Sequence, residues 1–384
     1  MALHIPKAWA LSLALGVTFC SNPSGNSNPT GNGPLPGEAP EAAFTVSCAN
    51  TICSFTDGSS DPDGSSVARD WDFGDGPTSA EVNPEHTYAQ SGTYAVGLRV
   101  VDDSGAIGSS SQRVVVEDVR NESFVFLGAG DIADCSSGDE DGATAALIAQ
   151  YPIATVFTLG DNAYRDGSPG NYSRCFDPTW GKFKDRIRPT PGNHDYHTSG
   201  AAGYFGYFGA SAGPAGRGYY SYDLGSWHII SLDSEIDVNG ASAQAAWLVQ
   251  DLADHPASCT LAYWHRPLFT SSAVHPPAVA MRPLFTILYE GGADIVLSGH
   301  NHQYERFSPQ RPDGTPDAVA GVRYFVAGTG GAGLYDFAAA QPNSEVRYKG
   351  FGVLKLTLGV TDYAWEFLPV AGSSFTDGGT GDCH

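Results

Sequence analysis

Three apolar runs in this chain end alike. "FVFLGAGD" closes on Asp131, "ATVFTLGD" on Asp161, and "ADIVLSGHNH" on His300 and His302. From Phe124, Ala154 and Ile295 each runs through uncharged, mostly apolar residues to a glycine, and then to a carboxylate or an imidazole. Strands apolar on both faces belong in a buried, largely parallel sheet, and such a sheet needs helices over it. The segments between supply them: "GATAALIAQY", the amphipathic "SAQAAWLVQDLADH" and "AMRPLFTILYEGG" read as helices. "WHIISLDS" and "TLAYWH", the latter ending on His265, read as further strands, and "VRYFVAGTGG", "FGVLKLTLGV" and "DYAWEFLP" as a closing run of strands. Ligands of α/β sheets gather at the carboxyl ends of strands. Asp131, Asp161, His265, His300 and His302 are therefore expected at one rim, and "RPTPGNHD" adds Asn193 and His194 after another glycine. His300 and His302 stand two apart, so in an extended segment they project to the same side, each able to meet a different metal.

Taken singly, a Gly-Asp after a strand is usually a turn or a cap. The ordered set GD, GDNAY, GNHD, WH and GHNH is far more specific. Carboxylate, amide and imidazole donors together suit two hard or borderline cations. A shared carboxylate would hold such ions about 3.5–4 Å apart, the spacing of two-metal phosphoester hydrolysis.

The order and wording of the fragments, "GDNAY" and "GHNHQYER" above all, resemble the calcineurin-like metallophosphoesterases of the purple acid phosphatase type, over roughly residues 123–371. The resemblance implies a double β-sheet sandwich flanked by helices, with two metals at its rim. It implies Asp131, Asp161, Tyr164 and His302 on the first metal, with Asp161 bridging to a second held also by Asn193, His265 and His300. It gives catalytic roles to His194, beside Asn193, and to His275, ten residues after His265: contact with phosphate and a proton for the leaving group. Tyr304, Glu305 and Arg306 of "HQYER" read as supporting or packing residues, Arg165 as a surface charge or a phosphate contact, and His197 and His228 as structural. Many metallophosphoesterases open with Asp-x-His, but here the triplet is Asp131-Ile132-Ala133, and Tyr164 stands in. A phenolate suits Fe(III), so the implied cofactors are Fe(III) plus a divalent Zn, Mn or Fe. The implied activity is hydrolysis of phosphate monoesters by a metal-activated water. A phosphodiesterase or nucleotide pyrophosphohydrolase with the same metals is one alternative, and an adhesion protein with an inactive second unit is another. The filled donor positions weigh against the last.

Charge bears on partners. With 20 Lys and Arg against 42 Asp and Glu, the formal net charge is -22. This excludes nucleic acid as a binding partner, since phosphate-backbone binding needs basic surface. A phosphate ester would need local positive charge, which bound cations provide.

A chain of 384 residues suggests more than one folded unit. Residues 41–118 hold short, partly alternating runs such as "AAFTVSC", "ARDWDFGDG" and "GTYAVGLRVVDD", the pattern of a small all-β sandwich. "WDFGDG" followed by "HTYAQSGTYAVGLRVVD" resembles the PKD domain, an immunoglobulin-like module, and implies a cell-surface contact. Residues 1–20 contain an apolar run from Ala8 to Phe19, too short to span a bilayer and read as a signal peptide; residues 21–40 form a flexible linker. Cys20 resembles the lipid-bearing cysteine of a bacterial lipoprotein, although Phe19 departs from the small residue expected before it, and an ordinary cleaved signal is the other reading. A lipid there would be the route to a membrane; the expected location is secreted, periplasmic or attached to the outer surface. Of the seven cysteines, the six after Cys20 are expected as Cys48–Cys53, Cys135–Cys175 and Cys259–Cys383. Residues 372–384 read as a C-terminal tail.

Overall fold

The computed structural model describes residues 37–117, 123–136, 138 and 140–384. The signal peptide, the lipid site at Cys20 and most of the linker lie outside the described residues.

The first unit is built of β1 (Phe44–Ala49), β2 (Ile52–Asp57), β3 (Ser66–Asp72), β4 (Thr78–Ser79), β5 (Glu85–Thr87), β6 (Gly92–Asp102) and β7 (Ile107–Val116). They form two sheets, ordered β1-β2-β5 and β4-β3-β6-β7. Alternation along β6 buries Val96, Leu98 and Val100. Trp71 fills the space between, its ring centred 5.1 Å from that of Phe44 and 5.6 Å from that of Phe55. Its indole nitrogen donates to Glu81 O at 2.9 Å, so the buried polar atom is paired. Cys48 is bonded to Cys53.

The second unit holds thirteen strands: β8 (Phe124–Ala129), β9 (Thr155–Thr158), β10 (Ile187–Arg188), β11 (Tyr220–Leu224), β12 (Trp227–Ser231), β13 (Cys259–Trp264), β14 (Ile295–Ser298), β15 (Tyr304–Gln310), β16 (Val322–Ala327), β17 (Ser344–Tyr348), β18 (Gly352–Leu358), β19 (Asp362–Pro369) and β20 (Asp377–Asp382). One sheet runs β10-β9-β8-β18-β19-β20 and the other β11-β12-β13-β14-β16-β15-β17. The strands that carry the apolar runs pair in parallel, β8 with β9 and β13 with both β12 and β14. Period-two alternation then sorts their side chains into three cores. Phe126, Phe157, Leu261, Tyr263, Ile295 and Leu297 meet between the sheets. Leu127 and Val156 face outward under the helices Glu140–Ile148 and Ala202–Phe208. Ala262, Trp264 and Val296 face the opposite way, under Ala243–Asp254 and Arg282–Glu290. The result is a two-sheet sandwich with helices on both outer faces.

Cys135 is bonded to Cys175 and Cys259 to Cys383. The segment expected as a tail is part of the fold: β20 pairs antiparallel with β19 from Asp377 opposite Phe367 to Asp382 opposite Asp362. Glycine-rich "DGGTGD" carries little strand propensity, and the pairing comes from its neighbours instead.

Candidate metal centre

The carboxyl ends of β8 and β9 in one sheet, and of β13 and β14 in the other, deliver Asp131, Asp161, His265 and His300 to one place. Three of these depart from ordinary backbone. Asp131, Asp161 and His300 have φ of 59°, 50° and 66°, the left-handed region that costs a non-glycine residue free energy and turns its side chain sharply off the strand. Gly160 has φ 82°, and a Cβ there would lie 2.6 Å from His265 Nδ1, so only glycine lets the two strand ends close up. A Cβ on Gly192 would collide with Asp161, which explains the glycine before Asn193.

The donor atoms fall into two overlapping groups. In the first, Tyr164 Oη lies 3.0 Å from Asp131 Oδ1, 3.1 Å from Asp161 Oδ2 and 3.1 Å from His302 Nε2. His302 Nε2 is 3.2 Å from Asp131 Oδ1. In the second, His265 Nε2 lies 3.3 Å from Asp161 Oδ2, 3.1 Å from Asn193 Oδ1 and 3.1 Å from His300 Nδ1. Asp161 belongs to both. Asp131, Asp161 and His265 are at most 1% exposed, and His300, His302 and Tyr164 6%.

Backbone carbonyls fix which ring nitrogens face inward. His265 Nδ1 donates to Leu159 O at 2.7 Å and His302 Nδ1 to Gly333 O at 2.6 Å. A carbonyl only accepts, so both Nδ1 atoms carry hydrogen and, in the neutral rings, both Nε2 atoms turn lone pairs toward carboxylate oxygens. Tyr164 has one hydrogen for three acceptors. Lone pairs therefore face one another among Asp131, Asp161 and His302 around Tyr164, and among His265 Nε2, Asp161 Oδ2 and Asn193 Oδ1, an arrangement that cations between them would satisfy. The spacing fits: ligands 2.0–2.2 Å from an octahedral ion stand about 2.8–3.1 Å apart. The residues present thus fit two metal ions.

Without a cation the site strains its own protonation. Burial alone would lower His265, yet the Asp161 carboxylate pushes it up to about 10. Burial would raise Asp161, and His265 outweighs it to hold that carboxyl well below the usual range. Burial, then Asp131 and Asp161, push the Tyr164 hydroxyl well above its ordinary value. Burial and the neighbouring His265 keep His300 neutral.

The two histidines expected in catalysis flank this centre. His194 Nδ1 is held by Arg165 O at 2.6 Å, which leaves Nε2 3.9 Å from Asp161 Oδ2. The His275 ring stacks on His300, centroids 4.2 Å apart. His228 lies elsewhere, between Asp223 and Asp251 at 2.9 Å each. Tyr304 and Arg306 bind Asp377 rather than the centre, at 2.6 Å and 2.9 Å.

Three contributions escaped the sequence analysis. Tyr335 stacks on His302 with centroids 4.0 Å apart, and no motif marks it. Arg266 is gripped by Glu235 at 2.7 Å and 2.9 Å and brings Nη1 to 3.4 Å from His300 Nε2; its place beside His265 was the available hint. Asp195, the last residue of "GNHD", accepts from Gly192 N at 2.9 Å, Asn162 Nδ2 at 3.0 Å and Tyr172 Oη at 2.7 Å. It thereby ties the "GDNAY" and "GNHD" loops together. Burial, with Asp161 adding to it, pushes its carboxyl up to about 6.

Two family models match the sequence: PKD domain over residues 37–117, and Calcineurin-like phosphoesterase over residues 113–304, half of the chain. Probable purple acid phosphatase 20 of Arabidopsis thaliana is 29% identical over 232 residues, 52% of this chain and 54% of that protein. Collagenase ColQ1 of Bacillus cereus (strain Q1) is 52% identical over 63 residues, 16% of this chain and 6% of that protein. The chain thus spans about half the length of the first and a small part of the second. The purple acid phosphatase PPD1 from yellow lupin (Lupinus luteus) seeds shares the fold, with a TM-score of 0.56 and 17% identity over 89% of this chain and 74% of that one.

Proposed function

The chain belongs to the calcineurin-like phosphoesterases, with a PKD domain ahead of the phosphoesterase unit, and on that premise we propose that it is a secreted or surface-attached phosphatase acting on phosphate monoesters. The observation that carries the reading is the pair of donor groups sharing Asp161, each with lone pairs converging at 3.0–3.3 Å. Asp131, Asp161, Tyr164 and His302 would hold one ion; Asp161, Asn193, His265 and His300 would hold the other. Two such ions supply Lewis acidity and an activated water at near-neutral pH. Fe(III) with Zn, Mn or Fe is the pair we expect, because a tyrosine oxygen favours a hard, highly charged cation.

The chain's own residues do the rest. Carbonyl anchors on His265 and His302 fix the donors before substrate arrives, so little reorganisation is left for the reaction. His194, pinned through Nδ1, keeps Nε2 at the edge of the centre, where it can bind a phosphate oxygen. His275, stacked on His300 at the edge of the centre, would give the leaving-group oxygen its proton. Tyr335 covers His302 from the side. Disulfides suit an oxidising compartment, and the PKD domain suits contact with a surface outside the cell.

Metal analysis of protein purified without chelators, with turnover of phenyl phosphate and of bis(4-nitrophenyl) phosphate, tests the proposal. Two ions per chain and preference for the monoester are expected. A folded, metal-replete protein inactive on both esters would overturn it, and preference for the diester would make it a phosphodiesterase.

A further inference from the structure

Beside the metal centre, two histidines converge on one acceptor. His194 Nδ1 and His197 Nδ1 lie 2.6 Å and 3.2 Å from the same carbonyl, Arg165 O. Both therefore carry hydrogen on Nδ1 and turn Nε2 away from that carbonyl. His194 directs Nε2 at Asp161. The His197 ring is centred 4.6 Å further out, tilted by 57°, and is exposed. The Arg165 side chain is 74% exposed and, among the described residues, steadied at one nitrogen: Nη2 donates to Ser136 Oγ at 3.0 Å and stands 3.9 Å from Asp134 Oδ2. Asp134 Oδ1 in turn accepts from Ser136 N and Oγ at 2.9 Å and 2.6 Å, and the intervening Cys135 is tied to Cys175. The loop that positions Arg165 is thus crosslinked, while Nε and Nη1 of the guanidinium meet no acceptor among the described residues. On a chain with more than twice as many acids as bases, this concentration of nitrogen donors next to the centre needs a reason.

We propose that His197 and the Arg165 side chain form a second anion subsite, adjoining the hydrolytic one, for substrates whose leaving group itself bears a phosphate. Inorganic pyrophosphate and nucleoside diphosphates are of that class. The inference rests on the phosphatase reading. One phosphate would occupy the centre beside His194, and the next would meet His197 Nε2 and the Arg165 fork. The imidazole binds a phosphate OH when neutral and an ionised oxygen when charged; the guanidinium binds an ionised oxygen in either case.

The test uses the full chain and two probes that cannot be hydrolysed, methylenediphosphonate and methylphosphonate, with binding read by calorimetry. The wild type should bind the diphosphonate about 10-fold or more tightly than the monophosphonate, a difference of roughly 1.4 kcal/mol. In His197→Ala and Arg165→Gln that ratio should fall toward one, with Arg165→Lys keeping part of it. A ratio near one in the wild type, or a ratio that survives both substitutions because the metals alone set it, would overturn the subsite. Turnover of phenyl phosphate by the wild type is measured separately, and its absence would count against the phosphatase reading instead.

Discussion

Tyr164 is where the identity of the first metal turns. Within the protein alone, burial and two carboxylates oppose its ionisation, so a phenolate there requires a strongly charged cation. With Fe(III) bound, the wild type should absorb visible light by charge transfer and Tyr164→Phe should lose the band. An iron-loaded, active wild type without such a band would remove tyrosine from the metal. Asn193→Ala and His265→Ala test the other ion. Each should lower turnover by about 100-fold or more with circular dichroism unchanged, and near-normal turnover in either would take that residue out of the centre. The seven proposed donors could be named from the sequence because six of them sit in short motifs next to glycines or strand ends, and the seventh, Tyr164, follows Asp161 by three residues. Tyr335 and the Arg266–Glu235 pair were not: Tyr335 and Glu235 reach the site from loops remote in the sequence, and Arg266, although beside His265, carries no motif of its own.

At the scale of elements, "QYER" joins the last strand to the body of the fold. Arg306 forks onto Asp377 with two bonds of 2.9 Å, Tyr304 adds one of 2.6 Å, and Glu305 accepts Ser271 N at 2.7 Å, just ahead of the His275 loop. Both charged partners of the fork are nearly buried, 11% and 6% exposed. Removing one partner of a buried pair costs about 3–5 kcal/mol, so Arg306→Ala should lower the unfolding midpoint by a corresponding amount while metal content stays as in the wild type. The Cys259–Cys383 bond closes a separation of 124 residues, and replacing both cysteines by serine should cost about 2–5 kcal/mol in urea unfolding. The strands of the parallel core announced themselves by continuous apolar runs. Strand β20 did not, since its place is set by Asp377 and Cys383 reaching partners far back in the sequence. His228, buried beneath the helix Ala243–Asp254, adds a pH dependence. Burial lowers its affinity for a proton, but Asp251 and Asp223 more than offset this and the net shift is upward. Its contribution is complete below the ordinary histidine value near 6.5 and is lost as pH rises through the elevated one. The stability gap between the wild type and His228→Gln should accordingly narrow from pH 6 to pH 9. A gap that is flat across that range would show that the imidazole is neutral in the fold.

At the scale of the molecule, every proposed metal donor comes from residues 131–302, and the PKD strands end at Val116. A fragment of residues 119–384 should therefore fold and hydrolyse phenyl phosphate at close to the rate of the full chain; a folded but inactive fragment would place part of the chemistry in the first unit. The division of the donors between the two sheets has a mechanical consequence. Asp131 and Asp161 extend from β8 and β9, while His265 and His300 extend from β13 and β14, on the opposite layer. An ion shared among them would act as a clasp across the sandwich, resisting any motion that slides one layer over the other. Chelation should thus loosen the whole domain and not merely silence its rim. Protein stripped of metal should melt at a lower temperature, and readdition of metal at about 1,000 times its dissociation constant should return about 4 kcal/mol. Amide exchange should quicken along β9 and β14 together, two strands of different sheets that the shared ion would tie to each other.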